Sequence, residues 1–151
     1  MMKFHAFKTN VMLTVLAVVL LTASGCGVKI WPSPQKSEDI FTFASVEGRR
    51  VGECLKVVVK VDGAYKNVDN LSLQFQADGS GPGEGCPTCP FFPAIRKNFV
   101  PGSEGIQSDG PTFVFSECGL DPAKSYRWRV VGRNVYDTLG VAISDVYTAV
   151  P

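Results

Sequence analysis

The sequence predicts an all-β domain, an antiparallel β-sandwich, over residues 39–151. Short segments in which apolar and polar residues alternate predict strands with one buried face, and the clearest are 55–61, 71–76 and 126–133. Turn-forming stretches rich in glycine and proline separate these segments. No segment of this domain has the apolar periodicity of a normal-length helix, and the range is about the size of one sandwich domain.

The predicted strands follow one another at short intervals. We expect strands at residues 40–45, 55–61, 71–76, 94–100, 112–116, 126–134 and 144–150. Residues 47–52 are predicted to form a turn, whereas residues 77–93 and 101–111 are predicted to be irregular loops. Asp62-Gly63, at the end of the second strand, is a strong hairpin signal, so a local hairpin competes there with a longer connection to the other sheet.

The corner before the strand at 126–134 has a more specific pattern. Leu120, Pro122 and Tyr126 are spaced as in the corner before strand F of fibronectin type III domains, which this stretch resembles. The alternating residues of the following strand match that family as well: Tyr126, Trp128, Val130, Gly132 and Asn134. The resemblance implies a fibronectin type III or Ig-like sandwich and a Tyr126 hydroxyl bonded to upstream backbone. It also favours the longer connection between the sheets over the local hairpin.

Residues 1–25 resemble the signal peptide of bacterial lipoproteins. Two lysines form a basic start, residues 11–21 form an apolar run too short to span a bilayer comfortably, and Ala23-Ser24-Gly25 precedes Cys26. The resemblance implies a helical signal peptide that is cleaved before Cys26, and attachment of acyl chains such as palmitate to that cysteine. An ordinary secretory signal or an uncleaved anchor is the alternative.

Residues 26–38 contain prolines and polar residues without apolar periodicity, so we expect a lipid-anchored, extended tether. The lipoprotein resemblance implies that the acyl chains hold the protein on a membrane of the cell envelope. Because Gly27 and not an aspartate follows the lipid-modified cysteine, the resemblance further implies the outer membrane if the host has two membranes.

Cleavage of the signal peptide changes the chemistry that is available. It removes the only histidine, His5, and leaves 13 basic and 14 acidic side chains. Without histidine there is no Ser-His-Asp or Cys-His pair and no His-ligated metal or haem. The nearly balanced charge provides no strong field for binding nucleic acid. We therefore expect a protein that is not an enzyme and has no catalytic residue and no cofactor.

The domain contains four cysteines, which an export signal would place in an oxidising compartment, where an even number is normally paired. If the strands follow the fibronectin type III order, all four lie at one end of the sandwich, and the strands that carry Cys54 and Cys118 are neighbours. The resemblance thus favours disulfides between Cys54 and Cys118 and between Cys86 and Cys89. Pairing of Cys86 and Cys89 with Cys54 and Cys118 remains an alternative.

Two other readings of the cysteines stay open. All four together would suit a tetrahedral zinc ion, but only one Cys-x-x-Cys pair is present and exported thiols oxidise readily. Cys86 and Cys89 would also suit a redox dithiol, although the residues that follow, Pro-Phe-Phe-Pro, do not predict the helix that such motifs normally precede.

Two groups of residues are candidates for binding a partner. Phe91 and Phe92 would form an apolar contact patch if exposed, or at least one of them would cap the open end of the core. Arg127, Arg129 and Arg133 share the polar face of one strand and would recognise an acidic partner. The alternative, which we favour, is a solvated face interspersed with acids from neighbouring strands.

The predicted function is that of a membrane-anchored lipoprotein that presents a β-sandwich binding or structural module in the cell envelope. Its partners would be the membrane, through the acyl chains, and an envelope protein or polymer. The alternative is a thiol redox or zinc-binding periplasmic protein that uses the loop containing Cys86 and Cys89.

Overall fold

The computed structural model describes residues 36–151, so the predicted signal peptide, Cys26 and most of the predicted tether lie outside the described residues. The described range begins with a short helix, α1 (Lys36–Asp39), and includes one 3₁₀ turn (Tyr65–Asn67). No helix in this range is long and apolar enough to cross a membrane. The strands are β1 (Phe41–Val51), β2 (Cys54–Gly63), β3 (Val68–Ala77), β4 (Ile95–Phe99), β5 (Ile106–Asp109), β6 (Thr112–Glu117), β7 (Tyr126–Asn134), β8 (Ala142–Ile143) and β9 (Tyr147–Ala149).

The strands form two antiparallel sheets, which confirms the predicted β-sandwich. One sheet has the order β1-β2-β6-β5, and the other has the order β4-β3-β7-β8, with β9 also paired to β7. The connection from β2 to β3 passes from one sheet to the other, so the longer connection is present and the local hairpin is not. β2 and β6 are antiparallel neighbours, as the fibronectin type III resemblance implied.

Alternating side chains of both sheets fill the core between them. On β2 the buried residues are every second one from Leu55 to Val61, and on β3 they include Leu71, Leu73 and Phe75. On β7, Trp128 is 1% exposed and occupies the space beside Gly48 of β1, where a Cβ atom would overlap the indole ring. The period-two pattern therefore identified the inward faces of the central strands correctly.

The corner between β6 and β7 has the contacts that the resemblance implied. The Tyr126 hydroxyl accepts a hydrogen bond from the Asp121 backbone N–H at 3.0 Å, and Leu120 is buried. Arg50 lies over the Tyr126 ring, with its guanidinium carbon 5.2 Å from the ring centroid, and donates to the Asp121 carbonyl at 2.8 Å. The end of β1 and the start of β7 are thereby joined at this corner.

Two segments that were predicted as a turn and a loop contain strand residues, and in each the chain turns at a glycine. Residues 47–51, predicted as a turn, continue β1, and the turn consists of Gly52 and Glu53 alone. Gly52 has a φ of +60°, and glycine at the first of two turn positions is what a type II′ hairpin requires. The predicted loop at 101–111 contains β5, because Ile106 is buried and Gly110, with a φ of +53°, allows a tight turn into β6.

The last predicted strand, 144–150, is shorter in the structure, because only β9 lies within that range and the two-residue β8 precedes it. Ser144 lies between them, and its hydroxyl accepts a hydrogen bond from the Val130 N–H at 2.9 Å. The Ser144 N–H donates in turn to the Val130 carbonyl at 2.9 Å. A side-chain oxygen thus replaces one backbone acceptor of the ladder, and this local substitution interrupts the strand.

Candidate functional site

The four cysteines of the domain form two disulfides with the pairing that we favoured. Cys54, the first residue of β2, is bonded to Cys118, just after β6, and Cys86 is bonded to Cys89 within the loop between β3 and β4. Both disulfides lie at one end of the sandwich, since Leu120 donates to the Glu53 carbonyl and Lys124 pairs with Glu84 of the loop. We call this end the disulfide pole.

The disulfides leave no thiolate among these four cysteines for zinc in the structure. Within residues 36–151, no three cysteine, histidine or acidic side chains lie close enough together to hold a metal ion. Cys89 is exposed and Cys86 is half-buried, so the short disulfide is accessible from the solvent. The residues after Cys89 are not helical.

The loop at 78–94 is held against the body of the sandwich by polar contacts at both sides. The Asp78 N–H donates to the Ser125 carbonyl at 2.9 Å. Glu84 accepts from the Gly81 N–H at 2.8 Å and from the Lys124 ammonium group. The hydrogen bond from Lys124 holds the pKa of Glu84 below its ordinary value, and the same contact raises the pKa of Lys124. The loop therefore has a defined path despite its many glycines and prolines.

Arg127 is buried beneath this loop, which corrects the prediction that it belongs to a solvated face. Its side chain donates to the Cys89 carbonyl at 2.6 Å and to the Gln76 amide oxygen at 2.8 Å. Its Nε lies 3.5 Å from the Asp78 carboxylate, an ion pair in which neither atom has a hydrogen-bond partner within the described residues. Only 6% of Arg127 is exposed, because the loop closes over it.

The two phenylalanines of the loop have different environments. Phe91 is half-buried and lies over two guanidinium groups, with centroid distances of 5.9 Å to Arg127 and 5.2 Å to Arg129. Phe92 is 70% exposed. Neither side chain belongs to the hydrophobic core, so the expectation that one of them caps the open end of the core was wrong. Phe91 instead covers the outer surface of the second sheet, as a cation–π partner.

That outer surface carries a row of arginines among amides and hydroxyls. The register places Arg129 opposite Gln74 and Arg133 opposite Asn70, while on the other side of β3 it places Arg96 opposite Gln74. We call the outward polar residues of β3, β4 and β7 the arginine–amide face: Asn70, Ser72, Gln74, Gln76, Arg96, Asn98, Arg127, Arg129 and Arg133.

The acids that we expected between these arginines are absent from the middle of the face, because β4 and β7 contain none and the one acid of β3, Asp69, lies near the start of that strand. Asp78 and Asp69 lie at the two ends of the face, where Asp78 pairs with Arg127 and Asp69 accepts a hydrogen bond from the Asn70 side chain. Arg129 donates to the Gln74 amide oxygen at 2.9 Å. The side chains of Arg96 and Arg133 form no ion pair or hydrogen bond with any residue in the described range. The face thus presents two unpaired guanidinium groups.

A groove of about 300 Å³ runs across this face between Arg96 and Arg133. Ser72, Gln74 and Val131 are among the residues that line it. Its lining is mostly polar, and both unpaired guanidinium groups border it. An anionic group in the groove would therefore meet charged donors without displacing an existing ion pair.

Arg129 and Arg133 were predicted from the sequence as candidate binding residues, whereas Arg96, Asn98 and the polar residues of β3 were not. Ser72 and Gln74 were visible as the outward positions of an alternating strand, and this was the only available signal. Arg96 is in a short edge strand without a clear pattern, so its proximity to the groove follows only from the pairing of β4 with β3.

Comparison with known proteins adds no assignment to this geometry. No protein-family model matches the chain, and a search of curated proteins finds no significant match. The candidate site therefore rests on the residues and contacts described above.

Proposed function

We propose that the protein is a membrane-anchored lipoprotein of the cell envelope whose fibronectin type III-like sandwich binds an acidic partner through the arginine–amide face. The observation that carries the proposal is the pair of unpaired guanidinium groups, Arg96 and Arg133, at one polar groove. Guanidinium groups bind carboxylates and phosphates through two parallel hydrogen bonds, so an unpaired arginine pair favours an anionic ligand. The role is binding and not catalysis.

Anchoring would keep this face close to the envelope. The proposal assigns lipid attachment to Cys26, and the residues up to the first strand would separate the sandwich from the membrane. Several acyl chains on one residue exceed the single chain that gives only marginal binding, so anchoring should be stable. Substitution of Cys26→Ala is expected to abolish incorporation of a labelled fatty acid in an exporting bacterial host. Undiminished labelling of this variant would refute the anchor.

The binding face can be tested in the intact envelope with a photoreactive amino acid at Asn98, an exposed position of β4 beside the groove. Irradiation is expected to produce a crosslinked species that disappears in the R96Q/R133Q double variant. The matched control carries the same photoreactive group at Ser116, an exposed position of β6 in the other sheet. Absence of a crosslink at Asn98, or an equal crosslink at Ser116, would contradict the proposed site.

The alternative function is thiol redox chemistry at the exposed disulfide between Cys86 and Cys89. The two functions make different demands on these residues. A redox protein needs both thiols, whereas the proposed groove lies among β3, β4 and β7 and includes neither cysteine. If a C86S/C89S double variant retains the Asn98 crosslink, the result would favour the binding function. Loss of the crosslink in this variant would favour the redox alternative.

A further inference from the structure

We infer that the groove between Arg96 and Arg133 binds a chain of a carboxylated polysaccharide, and this inference rests on the proposed function of the arginine–amide face. The proposed function requires only an acidic partner. The lining of the groove narrows the choice among acidic partners, because the lining combines charged donors with neutral groups that both donate and accept hydrogen bonds.

The polar groups that border the groove have unused hydrogen-bonding capacity. Ser72 and Asn98 make no side-chain hydrogen bond with any residue of the described range, and neither do Arg96 and Arg133. Gln74 accepts from Arg129 through its oxygen, which leaves its NH₂ group available. A hydroxyl and a carboxamide can each donate and accept, as can the hydroxyls of a sugar. The neutral part of the lining therefore matches a polyhydroxyl ligand.

The backbone positions of the two unpaired arginines lie farther apart than a single small anion extends. Arg96 is opposite Gln74, and Arg133 is opposite Asn70, on the two sides of β3. Four residues along a strand span about 14 Å, and two strand spacings span about 10 Å, between the backbone positions. An extended chain with repeated carboxylates would reach both guanidinium groups, with neutral hydroxyls over Ser72 and Gln74 between them.

The groove has the arginines but not the aromatic anchors of a typical protein-binding hot spot. Such sites are centred on well-packed, desolvated pockets. The apolar residues at this groove are Val131 and Val141, and Phe91 is already engaged with Arg127 and Arg129. A shallow, polar surface with two small apolar side chains favours the carbohydrate over an acidic protein.

The test is calorimetric titration of the full-length protein in detergent micelles with oligomers of galacturonic acid and of mannuronic acid. A neutral glucose oligomer and a polyglutamate peptide of equal charge are the comparison ligands. We expect at least one uronic acid oligomer to bind about tenfold or more tightly than either comparison ligand. Because a hydrogen bond to a charged group has this magnitude, R96Q and R133Q should each weaken that binding about tenfold.

Two further variants separate specific recognition from general charge. Arg49→Gln removes an exposed arginine from β1 in the other sheet and should leave binding unchanged. Asn98→Ala should weaken the binding of the uronic acid oligomer several-fold without affecting the binding of polyglutamate, because only the sugar offers hydroxyls to the Asn98 amide. All the substituted residues are exposed: Arg49, Arg96, Asn98 and Arg133. The substitutions should therefore not disturb folding, and the circular dichroism spectra of the variants should coincide with that of the unchanged protein.

Equal affinity for polyglutamate and the uronic acid oligomers would overturn the carbohydrate inference while leaving an acidic partner in place. No binding of either uronic acid oligomer would also overturn it. The proposed function would fail separately, through the absence of an arginine-dependent crosslink at Asn98 in the envelope. An arginine-dependent crosslink to a protein would therefore contradict the further inference alone.

Discussion

Removal of the disulfide between Cys54 and Cys118 is expected to lower the free energy of unfolding by about 4 kcal/mol. The two cysteines are 64 residues apart, so the crosslink restricts a large part of the unfolded chain. It also ties the start of β2 to the end of β6, two strands that pair through the centre of the first sheet. Chemical denaturation of a C54A/C118A variant, compared with the unchanged protein under non-reducing conditions, measures this loss.

The short disulfide provides the matched control. Cys86 and Cys89 are three residues apart, and the same chain-entropy relation gives about 2 kcal/mol for so short a loop. A C86A/C89A variant should therefore be clearly more stable than the C54A/C118A variant. Equal losses, or a larger loss for the short disulfide, would show that the long crosslink is not the main covalent support of the sandwich.

Substitution of Arg127→Met is expected to destabilise the protein by about 3 kcal/mol, because breaking a buried ion pair leaves the other charge without its partner. The partner is the Asp78 carboxylate, whose side chain is 17% exposed. The substitution also deprives the Cys89 carbonyl and the Gln76 amide oxygen of their donor. Methionine keeps much of the volume, so the loss should come mainly from these polar contacts. Denaturation with urea measures the change.

Two controls show whether burial is the cause. Arg133→Gln changes an exposed arginine of the same strand and should alter the stability by less than about 0.5 kcal/mol. Adding Asp78→Asn to Arg127→Met removes the uncompensated charge and should recover part of the loss. If the Arg127 and Arg133 variants were equally stable, Arg127 would belong to a solvated face after all.

These expectations assign different roles to three arginines that look equivalent in the sequence. Arg127 holds the loop at the disulfide pole, and Arg129 is shared between Gln74 and the ring of Phe91. Arg133 has no partner in the described range and remains available to a ligand. The candidate site is therefore displaced along the sheet, away from the disulfides and towards Arg96 and Arg133.

Patterns among residues that are close together in the sequence were sufficient to predict the main strands and the corner before β7. Alternation from Leu55 to Val61 and from Leu71 to Gln76 reflects which side of a strand is buried, and this is a local property. The corner from Leu120 to Tyr126 is local as well, because the bonded atoms are five residues apart. The pairing of Cys54 with Cys118 followed only with the help of an assumed strand order.

The burial of Arg127 and the groove beside Arg133 depend on contacts between distant parts of the chain. Arg127 is covered by a loop that comes about 40 residues earlier in the chain. The path of that loop is set by the contacts of its own residues Asp78 and Cys89 with Arg127 and of Glu84 with Lys124. Arg96 reaches the groove because β4 adds to β3, which in turn pairs with β7. Periodicity identifies the face on which a side chain lies, whereas the tertiary structure decides what covers that face, because the covering residues come from elsewhere in the sequence.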